Sequence, residues 1–381
     1  MALDAGFGTA LITPPTPVRL AGFAEVQDAT EVHDDLTARA LFLRSSIGSV
    51  CLVVCDLLGM SPEYANPART AVARHLGLDE SAVLLASTHT HAAPSTMAGT
   101  ERLGWFVPEG YGATLTQGCV DAATAAQNAA TSAELRFGRW SLPDGLSINR
   151  RGYPYDPWFS VLDVLAAGSG ERIGTLANLA IHPVALGPEC LAVSADWVHP
   201  FREALQRRAG GTSLLLSGAL GDVNPRHVHR QDNDCSRDGF EEAAELGVEV
   251  AEAVDLHLAD TEALPDAGAR VIADRNLSVP IGGTDMAKAR RADTMRVELV
   301  EWEIGPVRLV SIPGEAFQAF GRQVEAARGD RVLTAGLSPL WQGYLPVPFA
   351  DGYEEGVSYG PQAVQAVLDA LLDVPRGPDG G

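Results

Sequence analysis

A chain of 381 residues, 46% hydrophobic and 20% charged, has the composition of a globular protein with room for a sizeable core, which excludes a disordered or fibrous polymer. Its formal net charge of −21 argues against nucleic acid or an anionic membrane as partner, because phosphate binding needs clustered Lys and Arg. No run reaches the roughly 18–20 apolar residues of a membrane-spanning helix, and Met1 to Phe7 lacks the basic and apolar regions of a secretory signal.

In chain order, short apolar runs at Val50–Cys55, Val83–Ala86, Ile173–Ile181, Ser213–Leu216 and Val307–Ser311 read as buried strands. Helical patterning lies between them, at Pro67–Leu76, Leu115–Ala130, Pro200–Arg208, Phe240–His257, Glu315–Ala327 and Pro361–Leu372. The alternation predicts an α/β fold with mixed sheets, partly parallel, and flanking helices. Ala269–Ile304 reads as antiparallel, interrupted at Ala287–Ala292. Two segments rich in Gly, Pro and polar residues, Pro94–Gly112 and Arg226–Asp238, read as loops. Residues 1–375 are expected to form one domain, with 376–381 a flexible tail. The five cysteines are scattered and odd in number, which suits a reducing cytoplasm; Cys51 and Cys55 read as core residues.

Polar residues follow the end of nearly every apolar run. Asp56 follows the first, Ser87-Thr88-His89-Thr90-His91 the second, His182-Pro183 the third, Ser217 to Asp222 the fourth and Pro313-Gly314-Glu315 the fifth. In open α/β sheets ligands bind beyond the carboxyl ends of strands, so residues dispersed in sequence can meet there. Histidine nitrogen and carboxylate oxygen suit zinc, which keeps an open position in catalytic sites. Each residue alone has a structural reading too. His182 can be a core histidine before a proline turn, Glu315 an acid favoured by a helix N-terminus, and Asp222 a turn cap. A second pair, His227 and His229, is flanked by arginines that disfavour a cation, and reads better as part of a substrate entrance.

The segments Gly6-Phe7-Gly8, Ile12-Thr13-Pro14-Pro15 and Leu20-Ala21-Gly22-Phe23 open a longer series. Thr88-His89-Thr90-His91-Ala92-Ala93-Pro94, Asn149-Arg150, Ala180-Ile181-His182-Pro183 and Ser194-Ala195-Asp196 continue it. Gly221-Asp222-Val223-Asn224-Pro225, Pro313-Gly314-Glu315 and Gly343-Tyr344-Leu345-Pro346, with Tyr353-Glu354, complete it. In this order they resemble the N-terminal catalytic domain of the neutral (alkaline, non-lysosomal) ceramidase family. The resemblance implies a Zn2+ ion on His89, His182, Glu315 and Tyr344. It places His91 in a catalytic role, and Arg150 and Tyr353 where substrate or the oxyanion would be contacted. Asn149, Asp222 and Asn224 fall on the substrate side, and Asp196 and Asp222 are candidates to orient the histidines. Three departures stand out. Asn224 occupies the position where the family often has serine, Ala92-Ala93 replaces Ser-Gly, and the family's C-terminal β-domain has no counterpart in the sequence.

The implied activity is zinc-dependent hydrolysis of an N-acyl amide by metal-activated water, since Asn224 cannot form an acyl-enzyme. The expected substrate is a small-molecule or lipid amide. Alternatives are an amidase or an amide- or lactam-forming enzyme acting on a small non-lipid metabolite, and a non-catalytic binding homologue. Arg102 to Pro108 has the apolar character of a pocket wall or lid.

Overall fold

Two β-sheets face one another, and helices cover their outer faces. The computed structural model describes residues 3–24, 28–98, 100, 104–226, 239–265 and 268–374. The His227/His229 pair, Arg102 and Leu103, all but Arg226 of the second predicted loop, and the 376–381 tail lie outside the described residues.

The larger sheet contains β1 (Leu3–Leu11), β2 (Thr37–Ser45), β3 (Gly48–Cys55), β4 (Val83–Ser87), β5 (Thr131–Ser141), β6 (Trp158–Ala166), β7 (Arg172–Leu179) and β8 (Thr212–Ser217). Its order is β8-β7-β6-β5-β1-β2-β3-β4, with Glu262–Ala263 pairing beside β5. The terminal pairs β3/β4 and β7/β8 are parallel; the rest are antiparallel. The smaller sheet runs β9 (Ala269–Pro280), β10 (Thr294–Ile304), β11 (Val307–Ile312) and β12 (Val332–Gly336) in chain order, with β11/β12 parallel. The mixed α/β fold and the helical interruption of the antiparallel hairpin, Asp285–Arg290, match the sequence reading.

Alternation along the strands sorts side chains between layers. In β2, Ala38, Ala40 and Phe42 pack under helices α1 (Pro62–Leu76) and α2 (Tyr111–Ala129). Leu41 and Leu43 point the other way, against Val300, Trp302 and Leu309 of the smaller sheet. Helices α3 (Val198–Ala209) and α4 (Gly239–His257) cover the β6–β8 half. Helices α5 (Gln318–Ala326) and α6 (Pro361–Leu372) cover the smaller sheet. Both faces of the central strands are therefore buried, which supplies the main folding force.

Polar contacts draw the parallel strand ends together. Ser217 Oγ, ending β8, donates to Thr88 O at 3.0 Å, just past β4. Ser338 Oγ donates to Leu85 O at 2.6 Å, and Asn178 of β7 bonds both Leu216 O and Thr334 O. Asp56, which follows β3, does not join this cluster. Its carboxylate takes two 2.8 Å bonds from Arg202 of α3 and two more from Thr37. It locks a helix to the sheet, and its pKa is lowered because Arg202 and Thr37 outweigh burial.

Candidate metal centre

The carboxyl ends of β4, β7 and β11 each deliver one side chain to a common point. His89 lies two residues past β4 with a left-handed backbone, φ 78°, a conformation sparsely populated outside glycine. His182 lies three residues past β7 and Glu315 three past β11. Glu315 Oε2 stands 3.2 Å from His89 Nε2 and 3.6 Å from His182 Nε2. His89, His182 and Glu315 are all buried.

Glu315 was expected at the head of a helix. It instead begins a short strand, Glu315–Ala316, paired in parallel with Tyr344–Leu345, while α5 starts at Gln318. The register sets Glu315 directly beside Tyr344. Gly314 (φ 152°) makes the approach feasible, because a Cβ there would fall 2.3 Å from Gly343 O.

Backbone carbonyls orient both imidazoles. His89 Nδ1 bonds Leu58 O at 2.5 Å and His182 Nδ1 bonds Leu220 O at 2.8 Å. A carbonyl only accepts, so each Nδ1 carries the proton and each Nε2 of the neutral ring presents a lone pair to the shared centre. This corrects the expectation that Asp196 and Asp222 orient the rings. Asp196 accepts from the backbone N–H groups of Ala185, Leu186 and Trp197, and so braces the loop after His182. Asp222 accepts from Asn149 Nδ2 at 2.6 Å and from Gln318 N at 2.7 Å, so both its oxygens serve neighbouring chain.

His91 sits against the same pair, its ring centroid 5.1 Å from that of His89 and 5.7 Å from that of His182. The ligand atoms of His89, His91 and His182 lie within 4.8 Å of one another. Neither nitrogen of His91, nor His89 Nε2, nor Glu315 Oε2, has a hydrogen-bond partner among the described residues. Buried polar atoms left this way are costly, and a shared cation would satisfy them. The donor set of imidazole nitrogens and carboxylate therefore fits a metal ion.

The electrostatics agree. Burial opposes the charge on Glu315, but the two histidines outweigh it and hold its pKa well below the usual range. Burial drives His182 down to about 4 and His91 well below its ordinary value, with neighbouring imidazoles adding to the effect. Tyr344 is pushed up by burial first and by Glu315 second.

Arg150 borders this centre. Its Nη2 reaches Gly221 O at 2.7 Å, Tyr344 Oη at 3.4 Å and Glu354 Oε1 at 2.9 Å. Burial works against its charge, yet Tyr344 and Glu354 raise its pKa, and its Nε has no acceptor among the described residues. Arg151 pairs with Glu354 and Glu355, fixing the short helix that Tyr353 opens. Tyr353 stands at the rim, 65% exposed, its ring 6.2 Å from that of Tyr344. Asn224 is buried on a short strand paired with Ser147–Asn149, opposite Ile148, while Asn149 bonds Asp222 from the neighbouring register position.

Sequence reasoning missed Trp341, whose Nε1 donates to Glu315 Oε1 at 2.6 Å; no motif marks it. It also passed over Glu354 as the partner of Arg150, although Arg150-Arg151 and Glu354-Glu355 are complementary charge pairs in the sequence. Beside His91 lies a small cavity of about 10 Å³ walled by Leu20, Ala21, Phe23, Gly187, Pro188 and Cys190.

No family model and no curated protein matches the sequence. Solved structures do match the fold, among them neutral ceramidase from Pseudomonas aeruginosa and a ceramidase complexed with C2. Each of these two is 18% identical, with a TM-score of 0.81, over 98% of this chain and 74% of the other. The order of the motifs and the superposition of nearly the whole chain lead to the same result: this protein has a neutral ceramidase-like fold.

Proposed function

We propose that the chain is a zinc-dependent hydrolase of linear amides, with the ion held by His89, His182, Glu315 and Tyr344. The carrying observation is the convergence of His89 Nε2, His182 Nε2 and Glu315 Oε2 at 3.2 and 3.6 Å without a proton donor between them. Likeness to ceramidase structures supports amide chemistry over other metal-assisted hydrolysis. When bound, zinc supplies a Lewis acid that polarises a carbonyl and lowers the pKa of water to about 7.

The chain's own groups then divide the remaining work. His91, with both ring nitrogens unpartnered, takes the proton of the attacking water and returns one to the leaving amine. Its depressed pKa keeps it neutral, as a base must be. Arg150, with an unpartnered buried Nε–H, stabilises negative charge on the former carbonyl oxygen, helped by Tyr353 from the rim. Asn149, Asp222 and Asn224, in or beside one short strand pair, are assigned to the substrate side. Asn224 offers no nucleophile, so no acyl-enzyme is expected.

The test is metal content of the purified protein, followed by assay of apo and zinc-restored enzyme on N-acyl amides from acetyl to palmitoyl. Zinc at one equivalent and activity restored by zinc alone are expected. Protein without bound metal and inert with added zinc would be a binding homologue instead. The chain-length profile measures how long an acyl group the site accepts.

A further inference from the structure

A second cavity lies at the carboxyl ends of β7 and β8. Its volume is about 30 Å³, room for two or three waters or one group of acetate's size where a water takes roughly 10–15 Å³. Arg139, Trp158, Gln318, Arg322 and Glu325 contribute its polar wall. Arg139 and Arg322 stack on Trp158, with guanidinium carbons 4.3 and 4.0 Å from the ring centroid.

The two guanidinium groups share one carboxylate. Glu325 Oε2 takes Arg139 Nη2 at 2.5 Å and Arg322 Nη1 at 3.1 Å, which leaves one positive charge uncompensated within the wall. Asp156 acts on Arg322 electrostatically, but it is exposed and therefore screened. Two buried donors here, Trp158 Nε1 and Arg322 Nη2, have no acceptor among the described residues. A void walled by residues that carry two unsatisfied donors and excess positive charge calls for an acceptor carrying negative charge.

We propose that this cavity is a binding site for a small carboxylate anion. Arg322 Nη2 and Trp158 Nε1 donate to it, and Arg139 adds charge. Burial and the neighbouring Arg139 depress the Arg322 pKa, a strain that an anion would relieve. The position gives occupancy a route to the metal centre. Ala180 and Gly218 in the wall precede His182 and Leu220 by two residues each, and Gln318 donates its N–H to Asp222. The inference does not rest on the amide-hydrolase reading and is tested without an activity assay.

The probe is sodium acetate, titrated into zinc-loaded protein in sulfonate buffer at constant ionic strength, with binding read by calorimetry and by line-broadening of labelled acetate. One saturable site is expected. Arg322→Met weakens it at least about tenfold, Trp158→Phe severalfold, and His182→Ala leaves it in place. If Arg322→Met does not fold, Trp158→Phe and Arg322→Lys carry the comparison. No saturation by about 100 mM acetate means that water alone fills the cavity and overturns the site. Binding that survives Trp158→Phe and Arg322→Met, or vanishes in His182→Ala, places the anion elsewhere and overturns it too.

Discussion

Trp341 Nε1 holds Glu315 Oε1 at 2.6 Å, and so dedicates the other carboxylate oxygen to the two histidines. Without that bond Glu315 can rotate about its last torsion, which is broad and two-fold. Trp341→Phe keeps the ring and deletes the donor. It is expected to weaken zinc binding by about 10- to 100-fold, as loss of a ligand's outer partner does. Competition with a chromophoric chelator reads the change; an unaltered affinity would show that Glu315 is not a ligand held in this way.

Gly22 separates two roles for His91. A Cβ at this position (φ 117°) would fall 2.4 Å from His91 Nδ1 and displace the ring. If His91 moves protons and does not bind the metal, Gly22→Ala lowers kcat by on the order of 100-fold. Zinc affinity then stays within about twofold of the parent. Affinity falling in step with activity would instead make His91 a ligand, as its place within 4.8 Å of the other two imidazoles also allows.

Asp196 is the pH-sensitive brace. Burial raises its pKa from 3.8 to about 7, against the pull of three backbone N–H donors. The folded state thus binds this proton more tightly than the unfolded chain. The stability it contributes is fully present below about pH 4 and is lost as pH rises to about 7, at roughly 1.4 kcal/mol per unit. Asp196→Asn removes the titration. Urea unfolding of both proteins from pH 5 to 8 should show the parent losing ground to the variant as pH rises; a constant difference would refute the assignment.

Arg202 and Asp56 form a buried pair with two 2.8 Å bonds, 2% and 0% exposed. Removing the cation leaves a carboxylate stranded between α3 and the sheet. Arg202→Met is expected to cost about 3–5 kcal/mol in chemical unfolding. The double variant Arg202→Met/Asp56→Leu should recover most of that; equal losses in both would mean that packing, and not the uncompensated charge, sets the cost.

The strands read singly from the sequence, β3, β4, β7, β8 and β11, are mostly apolar with few polar interruptions, and they are also the strands that carry or flank the metal centre. β1, β2 and β6 were passed over for physical reasons. β1 carries Gly6 and Gly8 because α2 packs onto it so closely that a Cβ would meet Ala126 O or Ala122 O at 2.2 Å. β2 buries Arg39, which bonds Gln206 and Ser213 O, and β6 buries Asp163 against Arg172. Such satisfied polar residues break an apolar pattern without breaking a strand. Histidine and carboxylate after strand ends were legible from residue type and position. Trp341, the Leu58 and Leu220 carbonyls and the Arg322 cavity were not, because each depends on chain folded back from a distant segment.

Main-chain atoms hold both imidazoles, and main-chain atoms survive substitution. Any residue at position 58 or 220 that keeps the local path still offers its oxygen to the ring. These two supports also do not titrate, so acidity reaches the centre through the rings themselves. A site anchored in this manner tolerates extensive sequence drift around it, provided the strands keep their register.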